Sequence, residues 1–169
     1  MKHIYTGDGK GKTTASIGMI IRALGAGKKV AFYQFLKDGK SSEIKVLSKL
    51  SNLTVLEALE NIEEVWTYSK EKIDKLKPYY NEKLNEISKA IPDYDMVVLD
   101  EFLVALNYDY LDYDMAYEFV KSFPDDKELV ITGRGEDEKF VDLCDYVSRI
   151  DKVKHPYDNG TKAREGIEY

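Results

Sequence analysis

Seven consecutive residues near the start of the chain, Gly7-Asp8-Gly9-Lys10-Gly11-Lys12-Thr13, combine glycine, lysine and hydroxyl in a spacing suited to a string of phosphates. Glycines let the backbone wrap close enough for successive N–H groups to point at phosphate oxygens, and a helix starting there adds partial positive charge. Lys12 supplies a point charge for the triphosphate of ATP, and the Thr13 hydroxyl can ligate magnesium. Gly7, Asp8, Gly9, Lys10, Gly11, Lys12, Thr13 and Thr14 thus form one candidate triphosphate cradle. Thr6 stands where the strict pattern has a leading glycine. The alternative, a glycine-rich turn that binds nothing, fits the context poorly. A short strand at Ile4-Tyr5 precedes the segment, and residues 12 to 26 place Ile17, Ile20, Ile21 and Leu24 at helical spacing after it.

Two further segments carry chemistry. Asp100-Glu101 closes the apolar run Met96-Val97-Val98-Leu99. A carboxylate pair at the C-terminal end of a central strand sits where a magnesium-binding acid belongs, and the sequence leaves open which of the two holds the metal. Thr132-Gly133-Arg134-Gly135 follows a second apolar run, Leu129-Val130-Ile131, and opens onto the same sheet edge. There Arg134 is either a phosphate or carboxylate contact or an ordinary surface arginine. Trp66 and Tyr68 fall in a predicted loop before a long helix, where they either line a pocket for a flat ligand or pack in the core. His155 lies in an aperiodic C-terminal stretch and reads equally as structural or functional. Cys144 shares an apolar face with Phe140, Val141 and Val147 and reads as buried filler.

The elements that must position these groups alternate along the chain. Val30 to Leu36 reads as a buried strand, followed by a helix over 43 to 50 and a strand at 53 to 56. Residues 69 to 91 carry Ile73, Leu76, Tyr80, Leu84, Ile87 and Ile91 on one helical face. Pro78 either kinks that helix or begins its main part, and Pro92 ends it. Helices near 112 to 122 and 136 to 145 flank the strand at 129 to 132, and a last strand covers 146 to 150. This alternation predicts one α/β domain over residues 1–169: an open, mostly parallel sheet with helices on both faces, of the P-loop NTPase kind.

The composition narrows the function. A net charge of −6 argues against nucleic acid as the main partner. No run is long enough to span a bilayer, and Met1 leads straight into the first strand. One cysteine and two histidines build neither an internal disulfide nor a zinc site, which suits a reducing cytoplasm and leaves oxygen-held cations as the expected metals.

Together these segments resemble the ATP:corrinoid adenosyltransferase family of the P-loop type. The likeness rests on Thr6 to Thr14, Gln34-Phe35-Leu36-Lys37, Val97-Val98-Leu99-Asp100-Glu101 and Ile131-Thr132-Gly133-Arg134-Gly135. Val153-Lys154-His155-Pro156-Tyr157-Asp158 and Gly166-Ile167-Glu168-Tyr169 complete it. The resemblance implies transfer of the 5′-deoxyadenosyl group of ATP to the cobalt of a reduced corrinoid, with release of triphosphate. It implies catalytic contacts from Lys12 and Arg134, a magnesium ion on Thr13 with Asp100 or Glu101, and a corrinoid pocket using Trp66 and Tyr68. A reductant or reductase supplying cobalt(I) and a homodimer are implied as well. Several relatives carry an N-terminal arm before the first strand; with none here, any lid is expected to come from elsewhere. The rival readings are a small-molecule kinase or ATPase, and a nucleotide- or corrinoid-sensing module without turnover.

Overall fold

The computed structural model describes residues 1–59 and 69–168. Its strands are β1 (Lys2–Thr6), β2 (Val30–Gln34), β3 (Leu53–Val55), β4 (Met96–Asp100), β5 (Glu128–Thr132) and β6 (Tyr146–Arg149). They form one sheet in the order β3-β2-β4-β5-β1-β6. Every pairing is parallel, so the sheet is wholly rather than mostly so.

The apolar runs follow from this arrangement. Val30, Phe32, Met96, Val98 and Val130 face one side of the sheet, where they meet Ile20 and Ala23 of α1 (Lys12–Gly25) and Leu47 of α2 (Ile44–Leu47). The alternate residues Ala31, Tyr33, Val97, Leu99, Leu129 and Ile131 face the larger core on the other side. That core is closed by α3 (Lys70–Ala90), α4 (Phe102–Asn107), α5 (Tyr113–Lys121) and α6 (Glu138–Leu143). A strand buried on both faces has no polar side to show, so β2 and β4 read as continuous apolar runs. No described helix is long and apolar enough to cross a membrane.

Four local expectations need correction. The helix expected over 43 to 50 is a short one, Ile44–Leu47. The sequence reading gave no helix at 102–107, where α4 lies. Phe102 to Leu106 are all buried, and a helix buried all round loses the 3.6-residue period that marks an amphipathic one. Val147 does not share the face of Phe140: it lies on β6, whose residues are all exposed, and Cys144 is only half-buried. Finally, Pro78 is not the first residue of its helix. The helix starts at Lys70, where Ser69 accepts from the Lys72 N–H, and runs unbroken past Pro78 to Ala90.

Pro78 therefore costs stability without visible compensation. It is exposed, and it has no N–H to give to the carbonyl one turn back. Replacing it with alanine should stabilise the protein by about 1–3 kcal/mol. Thermal melting checks this: Pro78→Ala should melt several degrees higher, and an unchanged or lower midpoint would show that the ring is not a net burden.

Candidate functional site

The C-terminal ends of β1, β4 and β5 meet at one edge of the sheet, and the loops that leave them carry the predicted groups. Gly11, at φ 117°, turns the chain into α1. No side chain caps the start of that helix and no acidic residue sits in its first turn. Its first N–H groups are therefore uncommitted to side chains and its positive end uncompensated, the condition for holding an anion.

The loop's shape depends on the far end of the chain. Ile150 donates its N–H to the Thr6 carbonyl at 2.8 Å, and its own carbonyl accepts from the Gly9 N–H at 2.7 Å. A Cβ on Gly9 would stand 2.7 Å from the Ile150 oxygen and 2.8 Å from that of Asp151. At Gly7, where φ is 99°, a side chain would meet the same Ile150 carbonyl. Both glycines are required by this packing as well as by any phosphate. Thr6, in place of the leading glycine, is fully buried, and its hydroxyl has no hydrogen-bond partner among the described residues. The Lys12 ammonium curls back to donate to the carbonyls of Gly7 at 2.7 Å and Gly9 at 2.8 Å. Burial, then the nearby charge of Arg134, depresses its pKa, while Glu101, Asp8 and Asp100 oppose the fall. Asp8, Lys10 and Thr14 face solvent.

Asp100 is the most constrained group of the site. Strand register sets Gln34 directly beside it and Thr132 just beyond the Leu99–Ile131 pair. One carboxylate oxygen accepts from the hydroxyls of Thr13 at 2.8 Å and Thr132 at 2.7 Å. The other accepts from the Gln34 amide at 3.1 Å and the Lys37 ammonium at 2.8 Å. The carboxylate is wholly buried, whereas Lys37 remains 30% exposed. Burial alone would raise the Asp100 pKa; the Lys37 charge and the bonds from Lys37, Thr132 and Thr13 outweigh it and hold the carboxyl below its usual range.

Glu101 differs in kind. Its backbone lies in the left-handed region at φ 56°, strained for a residue with a side chain, and its N–H donates to the Thr132 hydroxyl at 3.0 Å. Its carboxyl is pushed up by burial and then by Asp100, against the pull of Lys37, Lys12 and Arg134. Lys12 opens α1 while Lys37 and Arg134 lie on two loops, and all three act on Glu101 through their charge. Arg134 itself is exposed, and its loop is held by Asn107, whose amide donates to the carbonyls of Arg134 at 2.9 Å and Gly135 at 3.0 Å. Gly133 is forced by geometry: φ is 148°, and a Cβ would lie 2.7 Å from that of Leu103.

The structure thus brings together Lys12, Thr13, Asp100, Glu101 and Arg134, as the sequence leads one to expect. Trp66 and Tyr68 lie outside the described residues. The His155 ring accepts from the Tyr157 N–H at 3.1 Å at the start of a single 3-10 turn, Pro156–Asn159. The Cys144 thiol, pushed up to about 11 by burial, is a poor nucleophile. The sequence reading gave no role to Gln34, Lys37 and Thr132, the residues that fasten Asp100. Their signal was a polar residue ending, or just after, an otherwise apolar run on the same edge as Asp100. A cleft of about 330 Å³ opens next to Gln34, bounded by Ile44, Ser48, Val55 and Leu56.

The whole chain, residues 1–169, matches the family described as ATP:corrinoid adenosyltransferase BtuR/CobO/CobP. Among curated relatives, the corrinoid adenosyltransferase of Pseudomonas aeruginosa is 31% identical over 98% of this chain and 82% of its own length. Corrinoid adenosyltransferase CobA of Salmonella typhimurium is 34% identical over 98% of this chain and 84% of its own. The corrinoid adenosyltransferase of Escherichia coli K12 is 33% identical over the same shares of both chains. With a phosphate loop, a fastened acidic strand end and an arginine loop on one edge of a parallel sheet, the chain belongs to the ATP:corrinoid adenosyltransferase family.

Proposed function

We propose that the protein transfers the 5′-deoxyadenosyl group of ATP to the cobalt of a reduced corrinoid and releases intact triphosphate. The observation that carries the reading is the uncapped start of α1 beside Lys12, Glu101 and Arg134, in a chain of this family. Cobalt(I) brings its own electron pair. As the cobalt–carbon bond forms at the ribose 5′-carbon, the carbon–oxygen bond breaks and its electron pair leaves on the triphosphate. The protein's share of this chemistry is to orient the two substrates and to neutralise the leaving group. Lys12, the α1 N–H groups and Arg134 would hold the phosphate oxygens.

The donor chemistry fits magnesium. Among the described residues no three His, Cys, Asp or Glu side chains cluster. A cation here would depend on few protein oxygens plus substrate phosphates, which is how magnesium is commonly bound. Both oxygens of Asp100 are engaged by protein donors, so its part is to orient Thr13. Thr13 and Glu101 would then be the protein's ligands. Bound there, magnesium would supply charge stabilisation to the departing triphosphate. The reading carries with it a reductant or reductase for cobalt, a homodimer and a reducing cytoplasm. The single cysteine, Cys144, with no second one to pair with, supports the last. Trp66 and Tyr68 remain candidates for the corrinoid pocket.

Phosphorus NMR of a mixture with ATP, magnesium and chemically reduced cobalamin tests the reaction itself. Triphosphate should appear in step with the alkylcobalt absorbance. ADP accumulating without corrinoid would replace the transferase with an ATPase, and no turnover would leave a sensor. Lys12→Ala should lower ATP affinity or turnover at least about tenfold, the cost of one charge-assisted contact.

The two acidic residues should separate cleanly. Asp100→Asn turns one buried acceptor into a donor facing other donors and should destabilise the fold by about 1–3 kcal/mol. Glu101→Gln should melt no lower than the parent, because burial already favours the neutral form of that side chain. It should instead raise the magnesium needed for half-maximal activity. In the parent that requirement should climb as pH falls toward the raised pKa of Glu101, since only the carboxylate binds metal. Magnesium titrations at several pH values check both; an unchanged requirement in Glu101→Gln would remove Glu101 from the metal site.

A further inference from the structure

The Asp100 network holds one member that the transfer reaction does not explain. Thr13, Thr132 and Gln34 would suffice to orient a carboxylate, yet an ammonium also reaches it at 2.8 Å. Lys37 comes from the loop after β2, just past Leu36, whose φ of 57° turns the chain. Of the network's charged members, Asp100 is sealed and Lys37 is partly exposed on a long, rotatable stem. Its charge also acts on Glu101, ahead of Lys12 and Arg134.

The charges facing this point are three cations, Lys12, Lys37 and Arg134, and four anions, Asp8, Glu43, Asp100 and Glu101. In the nucleotide-free protein the Lys12 ammonium donates to the carbonyls of Gly7 and Gly9. Lys37 is the cation bonded to Asp100, and its charge also bears on the adjacent Glu101, where a divalent cation would settle. We propose that Lys37 is an internal counter-ion that stands in for the metal in the nucleotide-free protein, so that metal enters only together with the triphosphate. A bare dication would meet an ammonium already paired with Asp100, and like charges a few ångströms apart at a protein surface repel. A triphosphate brings enough negative charge to satisfy ammonium and metal together. Lys37 is in this sense a positioning residue that sets the order of binding. The inference rests on the metal site proposed at Thr13 and Glu101.

Manganese(II) titrated into the protein without nucleotide or corrinoid, and followed by electron paramagnetic resonance, tests this apart from turnover. Lys37→Gln, which can still donate a hydrogen bond to Asp100 but carries no charge, should bind manganese at least about tenfold more tightly than the parent. Lys37→Arg, which keeps the charge, should bind as weakly as the parent. Adding Glu101→Gln to Lys37→Gln should abolish the gain, placing it at this site. Equal or weaker binding by Lys37→Gln, or a gain that survives the loss of Glu101, overturns the proposal. Should Lys37→Gln fail to fold, the parent decides. Bound inorganic tripolyphosphate must raise its manganese affinity at least tenfold above that of tripolyphosphate in solution, and no gain overturns the proposal. A parent that makes triphosphate but fails these titrations loses the counter-ion alone. A parent that makes none loses the transferase reading.

Discussion

A single carboxylate, wholly out of water, holds the working end of this protein together. Asp100 takes hydrogen bonds from the first turn of α1, the end of β5, the end of β2 and the loop beyond β2. A buried charge is costly, and it persists only where every acceptor site is answered. Here the answers come from three separate stretches of chain, the start of α1, the end of β5 and the end of β2 with its following loop, so satisfying the charge also fixes where those stretches stand. The phosphate loop, the arginine loop and the strand ends share one geometry because they share this anchor. Its net contribution to stability need not be large for that to hold. Specific placement is what the arrangement secures.

The adjacent residue shows what the anchor makes possible. Asp100 and Glu101 are chemically near-identical neighbours pushed in opposite directions. One is held ionised by donors aimed at it, the other is driven toward its neutral form by burial and by its neighbour's charge. The left-handed backbone of Glu101 lets consecutive carboxylates leave the same strand end for different surroundings. Two groups of one kind thereby come to opposite electrostatic states.

Much of this was legible in the sequence for a definite reason. In a parallel sheet every strand ends on the same edge, so the glycine-lysine segment, Asp100-Glu101 and Thr132 to Gly135 had to converge once the strands were recognised. What was not legible depended on which strands are neighbours. Gln34 and Thr132 look like ordinary strand ends until β2 and β5 are seen to flank β4. The difference between Asp100 and Glu101 lies in burial and register, which no local pattern carries. The short helix α4 hid behind its uniform apolarity. Gly7 and Gly9 pointed to phosphate but gave no sign that Ile150 would lean on them.

That last contact bears on how the protein comes into being. Among the described residues β1 pairs with β5 and β6, the two strands that follow all the others in sequence. β1 therefore leaves the ribosome with no partner, and its neighbours emerge only after β2, β3 and β4. Contacts this distant in sequence form slowly and late. The nascent phosphate segment exists as residues long before it exists as a loop, because Ile150 must arrive to shape it. Closure thus waits on β6, and a chain halted before it would carry the nucleotide signature without the form that reads it.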